Sequence, residues 1–414
     1  MSQLRTVQVL GGGSAGSSAH VRSLVSGLVA RGVNVTVCAP AELDRAYDYT
    51  GAGARFAVVP RRSDPAAVGA LRAVCVGADV VHAHGLHAGV RTALALSGTG
   101  VPLVVTWHTL HQALGSSLRL SASPPGSRLL PQALGFARAG GTSASRGDLH
   151  EQGGPPRAGD TPGFAEGARG QLTRLLERRV ARAAAVVLGT SSDLVDRARR
   201  RGARDARLAS AAVPAPLAPA GGQEGKARAE LGAVERPLLM TVGSLVPHRG
   251  YGTLLDAARL WRELEPEPLV VIAGEGPERG ALRRRIEAEA LPVRLLGRCD
   301  DVTELLAVAD IAVLSSRWEA RSLLAQEALR LGVPLVATAV GGVPELVGDA
   351  AELVPYGDAE ALAEAVTRLL ASPERCRELA EAGRAQAATW PTEDDMVAQV
   401  LSIYDELTAR PGRR

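Results

Sequence analysis

The sequence predicts an α/β fold of two doubly wound domains, each a parallel sheet with helices on both faces. Short apolar runs alternate with helix-length amphipathic stretches along the chain, the pattern of successive βαβ units. Its 414 residues exceed what one hydrophobic core usually holds, so we expect two cores. Glycine-rich turns follow several of the apolar runs, which is typical of ligand sites at the carboxyl ends of parallel strands.

Eleven apolar runs are predicted to form strands. The first domain has them at 5–10, 33–38, 55–59, 79–84, 102–108 and 184–190, and the second at 237–244, 268–276, 293–297, 309–316 and 333–340. Helical patterns lie between them, such as 19–32, which ends in the capping residue Gly32. A last helix is predicted to begin at the N-cap Thr392, with an apolar stripe running from Met396 to Leu407.

Composition shifts mark the domain boundaries. A stretch rich in Pro, Ala and Gly, 213–225, is predicted to be a hinge between an N-terminal domain, 1–212, and a C-terminal domain, 226–390. Residues 391–414 hold the final helix. Within the first domain, 112–170 is dense in Gly, Ser, Pro and Ala and has almost no apolar periodicity, so we expect a flexible insertion there.

Charge and cysteine content exclude several classes of protein. A net charge of +3 and 3% aromatic residues argue against nucleic-acid binding. The four cysteines are far apart and read as reduced thiols, with neither disulfide nor zinc spacing. No signal-like start and no apolar run of about 20 residues is present, so we expect a cytoplasmic protein. The basic run 197–207 has two interpretations, a solvated helix end or a patch for peripheral contact with the inner membrane face.

The first glycine turn allows a rival function. Gly11, Gly13 and Gly16 match the G-x-G-x-x-G fingerprint of NAD(P)-dependent dehydrogenases. That fingerprint also needs an acid at the end of the second strand, about 20 residues on, to hold the ribose. Cys38-Ala39-Pro40 supplies none, so the turn is better explained as a close backbone approach to a ligand.

Three further glycine turns lie in the second domain. The turn at 241–255 offers backbone donors at Gly243 and Gly250 and a fixed cation at Arg249, which together suit a diphosphate. It lacks the G-K-[ST] of a Walker loop. The turns at 274–277 and 339–347 fall at the same predicted sheet edge. Together they predict a polyanionic nucleotide bound in a cleft between the domains.

The order and spacing of the motifs resemble one known family. They are "DVVHAHGLHAG" (79–89), "VVTWH" (104–108), "ERRVARAAAVVLGTSSDL" (177–194), "VGSLVPHRGYGTLLDA" (242–257), "GRCDDVTELLAVADIAVLSS" (297–316), an E-x7-E pair at 319–327 and "GVPLVATAVGGVPELV" (332–347). The chain resembles the retaining, GT-B fold glycosyltransferases of sequence family 4, the glycosyl transferases group 1, over nearly its whole length except 112–170.

This resemblance implies a fold and a reaction. Two Rossmann-like domains should face each other across a cleft, and the final helix should cross back onto the N-terminal domain. The reaction would transfer a sugar from a UDP- or GDP-sugar to a lipid-linked, glycan or small-molecule acceptor. The nucleotide sugar is a co-substrate, and neither a cofactor nor a metal is required. Retention is ascribed to front-face attack beside the leaving phosphate, so neither glutamate of the E-x7-E pair acts as a nucleophile.

Carried over position by position, the resemblance also assigns residues. The catalytic set is His108 at the sugar site, Arg249 on the diphosphate and Glu319 near the donor sugar. Glu327 would accept hydrogen bonds from the ribose hydroxyls. The remaining donor-binding positions are Gly12, Gly13, Ser244, Gly276, Arg298, Arg321, Ser322, Leu323 and Leu324.

Histidines are assigned to the acceptor side, and none to a metal. His20, His84, His87 and His111 are the candidates for contact with the acceptor. The group His82, His84 and His87 looks like a metal cluster, but its i, i+2 spacing at a strand end, with no acid beside it, suits zinc poorly.

The chain departs from the family pattern at the diphosphate site. Ser244 stands where the family often has an arginine, and Arg249 replaces a lysine. We hypothesise that Arg321 or His248 supplies the missing cation, in which case Arg321→Ala should raise the donor KM or lower kcat severalfold. Unchanged activity would refute that idea. The alternative is that Arg321 points to solvent and Ser244 is tolerated.

Two other functions share the predicted architecture. One is a nucleotide-sugar 2-epimerase, and the other is a noncatalytic nucleotide-sugar-binding protein, which the lost arginine makes conceivable. Donor hydrolysis would separate an enzyme from a binder, and epimerised donor without transfer would indicate the epimerase. The sequence identifies neither the sugar, the base nor the acceptor, and it does not predict an oligomeric state.

Overall fold

The computed structural model describes residues 3–11, 15–60, 65–109, 162–212, 222, 224–299 and 302–409. The chain divides into two compact units, residues 1–110 with 176–414 and residues 111–175. Most of the predicted insertion and of the predicted hinge lies outside the described residues.

The N-terminal half forms one parallel sheet. Its strands, in chain order among the described residues, are β1 (Arg5–Leu10), β2 (Asn34–Ala39), β3 (Arg55–Val58), β4 (Val80–His84), β5 (Leu103–Trp107), β6 (Val186–Gly189) and β7 (Ala206–Leu208). Its helices are α1 (Ala15–Ala30), α2 (Ala41–Tyr47), α3 (Pro65–Cys75), α4 (Leu86–Ala95), α5 (Pro162–Ala183) and α6 (Ser192–Arg200). The strand order is β3-β2-β1-β4-β5-β6-β7.

The C-terminal half repeats this plan. Its strands are β8 (Leu238–Val242), β9 (Leu269–Ala273), β10 (Val293–Gly297), β11 (Ile311–Leu314), β12 (Leu335–Thr338) and β13 (Glu352–Val354), in the order β10-β9-β8-β11-β12-β13. Its helices are α7 (Glu224–Leu231), α8 (Tyr251–Leu260), α9 (Arg279–Ala288), α10 (Val302–Ala307), α11 (Leu323–Leu331), α12 (Val343–Val347), α13 (Ala359–Leu370), α14 (Pro373–Ala388) and α15 (Glu393–Thr408), with 3₁₀ turns at Pro247–Arg249 and Trp261–Glu263.

Both sheets confirm the doubly wound prediction. In each, the chain reverses its direction of strand addition beside the first strand, between β1 and β4 and between β8 and β11. Ligands of such folds bind outside the carboxyl ends of the strands at this switch point. Every predicted apolar run contains a strand. The short edge strands β7 and β13 were not predicted, because three residues are too few to show a periodic pattern.

Each sheet buries an apolar layer on both faces. In the N-terminal half, α1 and α15 cover one face, and helices that include α4 and α6 cover the other. In the C-terminal half, α10, α11 and α12 lie on one face and α8 and α13 on the other. The prediction that α1 begins at residue 19 is wrong by one turn. The small residues Ala15–Ser18 carry no apolar stripe, yet the helix starts directly after the glycine turn.

The final helix packs on the N-terminal sheet, as predicted. Thr392 caps α15 through a capping box with Asp395. The buried side of α15, which includes Met396, Val400 and Tyr404, joins the core formed by α1 and the first sheet. The helix therefore places side chains against the strands that lead to the switch point of the N-terminal sheet.

Candidate active site

The glycine turns of the C-terminal half interlock at the carboxyl edge of its sheet. Gly250 has φ +69°, and a Cβ there would lie 1.9 Å from the Ser315 carbonyl oxygen, directly after β11. Gly274 has φ +154°, and its Cβ would lie 1.9 Å from the Gly243 carbonyl oxygen. Only glycine fits either position without displacing backbone. The turns after β8, β9 and β11 are therefore packed together at one edge, as the sequence predicts.

Arg249 and Glu319 form an ion pair in this edge. The Arg249 Nη1 donates to Glu319 Oε1, and Ser316 Oγ donates to the same oxygen at 3.0 Å. The two charged side chains are only 22% and 14% exposed, so both have lost most of their water. The Arg249 Nε is buried and has no hydrogen-bond partner among the described residues. The site thus holds a desolvated cation with unused donor capacity.

The N-terminus of α11 opens beside this pair. Ser322 is the N-cap, and its Oγ accepts from the Ala325 N–H at 3.4 Å. The preceding amides, Leu323 and Leu324, are the first of the helix and have no intrahelical acceptor. Glu327 lies one turn further along the face that begins at Leu323. Burial raises the pKa of Glu327, and the neighbouring Arg330 opposes that rise.

Polar side chains from three adjacent strands form a buried network under α15. The Tyr404 hydroxyl lies 2.8 Å from His82 Nδ1 and accepts from Gln8 Nε2 at 3.0 Å. His82 Nε2 lies 2.7 Å from Thr106 Oγ1. The second histidine of the strand, His84, places Nε2 3.0 Å from Gln8 Oε1. The network connects the returning helix to the ends of β4 and β5.

His108 contacts this network through His84, and His20 is held by a backbone carbonyl. His84 Nδ1 lies 3.4 Å from His108 Nε2, and His20 Nδ1 lies 3.2 Å from the Ala212 carbonyl oxygen. Burial lowers the pKa of His20 to about 4 and that of His82 to about 3. Burial, with the nearby imidazoles, also holds the pKa of His84 and of His108 well below 6.5. All four imidazoles are therefore neutral at pH 7.

The neutral histidines make the fold sensitive to acid. Their folded pKa values lie below the unfolded value near 6.5, so below that pH the unfolded chain binds protons that the folded chain does not. Stability should then fall by about 1.4 kcal/mol per pH unit for each such histidine, down to its folded pKa. The measurement is the free energy of unfolding in urea, followed between pH 6 and 4.5. His82→Gln should reduce its dependence on pH by about 1.4 kcal/mol per pH unit, the contribution of one histidine. His248→Gln, at an exposed position, should keep most of it; an identical loss in both variants would contradict the assignment.

The E-x7-E segment and α12 also contact the N-terminal half. The Trp318 indole N–H donates to Asp193 Oδ2 on α6 at 2.8 Å. The Ser192 N–H donates to the Glu345 carboxylate at 3.1 and 3.2 Å. A Cβ at Gly16 would lie 3.3 Å from a methyl group of Leu323. Trp318, the residue before Glu319, is thus anchored on α6 of the N-terminal half.

Removing that anchor should weaken catalysis without unfolding the protein. Trp318→Phe deletes one hydrogen bond to a carboxylate, a loss of about 1.5–3 kcal/mol if it is fully expressed. Because the loop is also held by the Gly342 N–H on the Glu319 carbonyl (2.8 Å), we expect a kcat/KM about tenfold lower. Trp261→Phe is the matched control. It also loses an indole hydrogen bond, to the Ala363 carbonyl, but should leave kcat/KM unchanged. Equal effects in both variants would contradict a role for Trp318 in the site.

Family models match both halves of the chain. A "Glycosyl transferase 4-like domain" matches residues 15–212, and "Glycosyl transferases group 1" matches residues 223–386. The chain belongs to the group 1 glycosyltransferases. The family assignment agrees with the predicted one, and the two-sheet architecture is the GT-B fold.

Curated relatives of this chain agree with the family assignment, and a solved structure agrees with the fold. The chain is 29% identical over 352 residues to a D-inositol 3-phosphate glycosyltransferase of Saccharomonospora viridis, covering 80% of this chain and 70% of the relative. It is 29% identical over 185 residues to an MMP alpha-(1->4)-mannosyltransferase of Mycolicibacterium hassiacum, covering 43% of this chain and less than half, 45%, of that relative. The structure of Anabaena HepE in complex with UDP and glucose matches with a TM-score of 0.74 and 17% identity, over 98% of this chain and 100% of HepE.

Arg321, one candidate for the missing cation of this glycosyltransferase, lies against Trp390. Its guanidinium is 5.9 Å from the ring centroid, and its Nε is buried without a hydrogen-bond partner among the described residues. Burial lowers the pKa of Arg321, and the charge of Glu345 opposes this. It does not point to solvent. His248, next to Arg249, lies in the glycine turn itself, but burial and the charge of Arg249 lower its pKa below 6.5, so it is largely neutral at pH 7. This favours Arg321 over His248 as the cation, and its role stays a prediction.

Other predicted positions are placed less centrally. Gly276 packs closely on the Leu245 carbonyl, and Arg298 is exposed beside the buried Gly297. Ser244 is exposed, and His87 is half-buried on α4. Gly12, Gly13 and His111 lie outside the described residues.

The basic run is largely neutralised in the structure. Arg197 and Arg201 pair with Glu177, and Arg207 pairs with Asp205 and Glu406. These contacts favour a structural ion-pair network over a free cationic patch. Among the described helices, none has the length and apolar content needed to cross a bilayer. Peripheral membrane contact stays a prediction.

The sequence analysis missed the supports of the site. Gln8 and Thr106, which order the histidines, were not singled out, and neither were Asp193 and Glu345. Tyr404 was assigned only to the apolar stripe of the final helix. A signal for Gln8 and Thr106 was present. Polar residues alternate with apolar ones in β1, β4 and β5, and the register pairs Gln8 with His82 and His84 with Thr106. One face of the sheet therefore carries a polar row inside an apolar layer.

Proposed function

We propose that this chain is a retaining glycosyltransferase that moves a sugar from a UDP- or GDP-sugar to a lipid-linked, glycan or small-molecule acceptor without a metal. One observation carries the proposal. The desolvated Arg249–Glu319 pair lies within interlocked glycine turns, beside the N-terminus of α11, and at the switch point of a doubly wound sheet. Backbone donors, a helix dipole and a fixed cation are the parts that bind a diphosphate.

The proposed chemistry is stabilisation of the leaving group. When the glycosidic bond to the donor breaks, negative charge grows on the β-phosphate. Arg249 and the amides of Leu323 and Leu324 would face that charge in a site with little water, where a fixed donor is worth more than in solution. The acceptor hydroxyl would attack from the same face as the leaving phosphate, which gives retention without a covalent intermediate.

Donor binding would reorganise the ion pair. A diphosphate would take up the unused donor capacity of Arg249 and compete with Glu319 for the cation. Glu319 would then be available to the sugar hydroxyls, still held by Ser316 Oγ. Glu327, a half-buried carboxylate on α11, would accept the ribose hydroxyls. The complex of HepE with UDP and glucose supports a uridine nucleotide as the first donor to test.

The histidines would form the sugar and acceptor side. His20, His84 and His108 present neutral imidazoles, which hydrogen-bond hydroxyl groups without binding anions strongly. His108 follows β5 at the same edge as the glycine turn after β1. The acceptor would therefore approach from the N-terminal sheet while the donor is held by the C-terminal sheet.

A thermal-shift panel of UDP-, GDP- and ADP-sugars, with NAD(P) as a comparison, tests the proposal. A matching donor should raise the midpoint, because a ligand that binds only the folded state stabilises it by mass action. Incubation of the protein with that donor should then release the nucleoside diphosphate. Binding without turnover would indicate a noncatalytic binder, and epimerised donor without transfer would indicate the epimerase. Stabilisation by NAD(P) alone would refute the proposal.

A further inference from the structure

Three histidines from separate elements converge at the edge of the first sheet. His20 comes from α1, His84 from the end of β4 and His108 from the residue after β5. One ring nitrogen from each lies within 4.8 Å of those of the other two. The His20 ring is 5.0 Å from that of His108 and 6.2 Å from that of His84, and it meets both nearly edge-on. This group differs from His82, His84 and His87, which the sequence spacing suggested. Both ring nitrogens of His82 are already in hydrogen-bond contact with Tyr404 and Thr106.

Two of the three imidazoles have fixed tautomers. Gln8 donates from Nε2 to Tyr404, so its Oε1 accepts, and His84 must carry its proton on Nε2. The Ala212 carbonyl can only accept, so His20 carries its proton on Nδ1. His84 Nδ1 and His20 Nε2 are therefore unprotonated, and each carries a lone pair that a metal could bind. A ring N–H bound to a carbonyl oxygen is the usual second shell of a metal-ligating histidine.

The third imidazole completes the geometry. His84 Nδ1 and His108 Nε2 are 3.4 Å apart. Two imidazole nitrogens bound to one zinc at 2.0–2.1 Å in a tetrahedron are separated by about 3.3–3.4 Å. Without a metal, His108 shares a proton on Nε2 with His84. With a metal, that proton would move to His108 Nδ1, and no net proton would be released.

We propose that His20, His84 and His108 form a three-histidine site for a borderline transition metal, with zinc as the preferred ion. Neutral nitrogen ligands alone select zinc, cobalt, nickel or copper over magnesium or calcium, which prefer oxygen. Three ligands leave the fourth position to water or a hydroxyl group.

The surroundings also bear on the strength of this site. His20 and His84 are buried and His108 is partly buried, so bulk water has little access to the ligand nitrogens. The charge of Arg321 acts on His20 and would weaken the binding of a cation.

Metal occupancy would inhibit transfer, an inference that rests on the proposed function. His108 is the residue proposed to contact the donor sugar, and a metal on its Nε2 would remove that nitrogen from hydrogen bonding to a hydroxyl group and fix the orientation of the ring. Under this proposal transfer needs no metal, and zinc bound to the three histidines inhibits it.

Titration with Zn²⁺ by calorimetry and with Co²⁺ by visible absorption tests the site directly. We expect one ion per chain and the intense bands of four-coordinate cobalt. Loss of a supporting hydrogen bond alone costs about 10- to 100-fold in metal affinity, so His20→Gln and His84→Gln should each bind at least about 100-fold more weakly. His248→Gln should bind like the wild type.

The outcomes separate the two proposals. Wild-type affinity in both cluster variants, or no stoichiometric binding to the wild type, would overturn the metal site whatever the enzyme does. Two variants at different elements guard against one that fails to fold. If zinc binds as expected, it should slow transfer by the wild type, and EDTA should restore the rate. Unchanged transfer with zinc bound would overturn the inhibition. If the protein binds zinc but shows no transfer even in EDTA, the result would count against the proposed function alone.

Discussion

Arg249→Met is expected to lower kcat/KM for the nucleotide sugar by about 100- to 1000-fold, the usual cost of losing one preorganised donor to a developing oxyanion. Arg249 is the cation at the interlocked glycine turns, and Ser244 supplies no second one nearby. Methionine keeps the length and the packing but removes the charge. The variant also leaves Glu319 half-buried without its cation, where it would repel the diphosphate. Because the charge on the phosphate is greatest in the transition state, most of the loss should appear in kcat.

Steady-state kinetics with two matched variants would isolate the role of the charge. Arg249→Lys keeps a cation without the planar fork and should retain more activity than the methionine variant. Arg368→Met removes an exposed arginine that pairs with Glu364 and should leave kcat/KM within experimental error of the wild type. A methionine variant as active as the lysine variant would show that Arg249 does not face the leaving phosphate.

Glu327→Ala is expected to lower kcat/KM by about 10- to 100-fold, mainly through KM. The variant removes two hydrogen bonds from ribose hydroxyls to a carboxylate, each of the stronger, charge-assisted kind. The ribose does not change during the reaction, so its contacts stabilise the bound ground state and the transition state equally. Affinity for the free nucleoside diphosphate should fall by the same factor.

Calorimetry with the nucleoside diphosphate gives the second readout for Glu327. The control is Glu364→Ala on α13, whose carboxylate is exposed and should not affect binding. If the nucleotide bound equally well to Glu327→Ala and to the wild type, the ribose contact would be refuted. A loss confined to kcat would instead assign Glu327 to the reacting sugar.

Much of the fold could be predicted because each strand is a buried apolar run. Parallel strands covered on both faces show no alternation, so β9 and β11 are visible as continuous apolar segments between turns. The three-residue edge strands carry no such signal. The start of α1 was missed for a related reason, since its first turn is built of small residues that carry no apolar stripe.

The candidate site divides in the same way. Arg249 could be picked out as a cation in a glycine turn, whereas Glu319 and Glu327 were assigned through the family resemblance of the E-x7-E pair. The contacts made by their supports could not be predicted, because these residues come from distant parts of the chain. Tyr404 meets His82 across 322 positions, and Trp318 meets Asp193 across 125. Only the packed sheets bring such residues together, and no local pattern records the pairing.

Nucleoside diphosphate release in the presence of EDTA tests the central claim most directly. The purified protein would be incubated with the donor that stabilises it most and with candidate acceptors. Released diphosphate and the anomeric configuration of the product would then be followed by NMR. The account predicts release that persists in EDTA, depends on Arg249 and yields a product with the donor's anomeric configuration. Release that requires a divalent metal, or a product of inverted configuration, would contradict it.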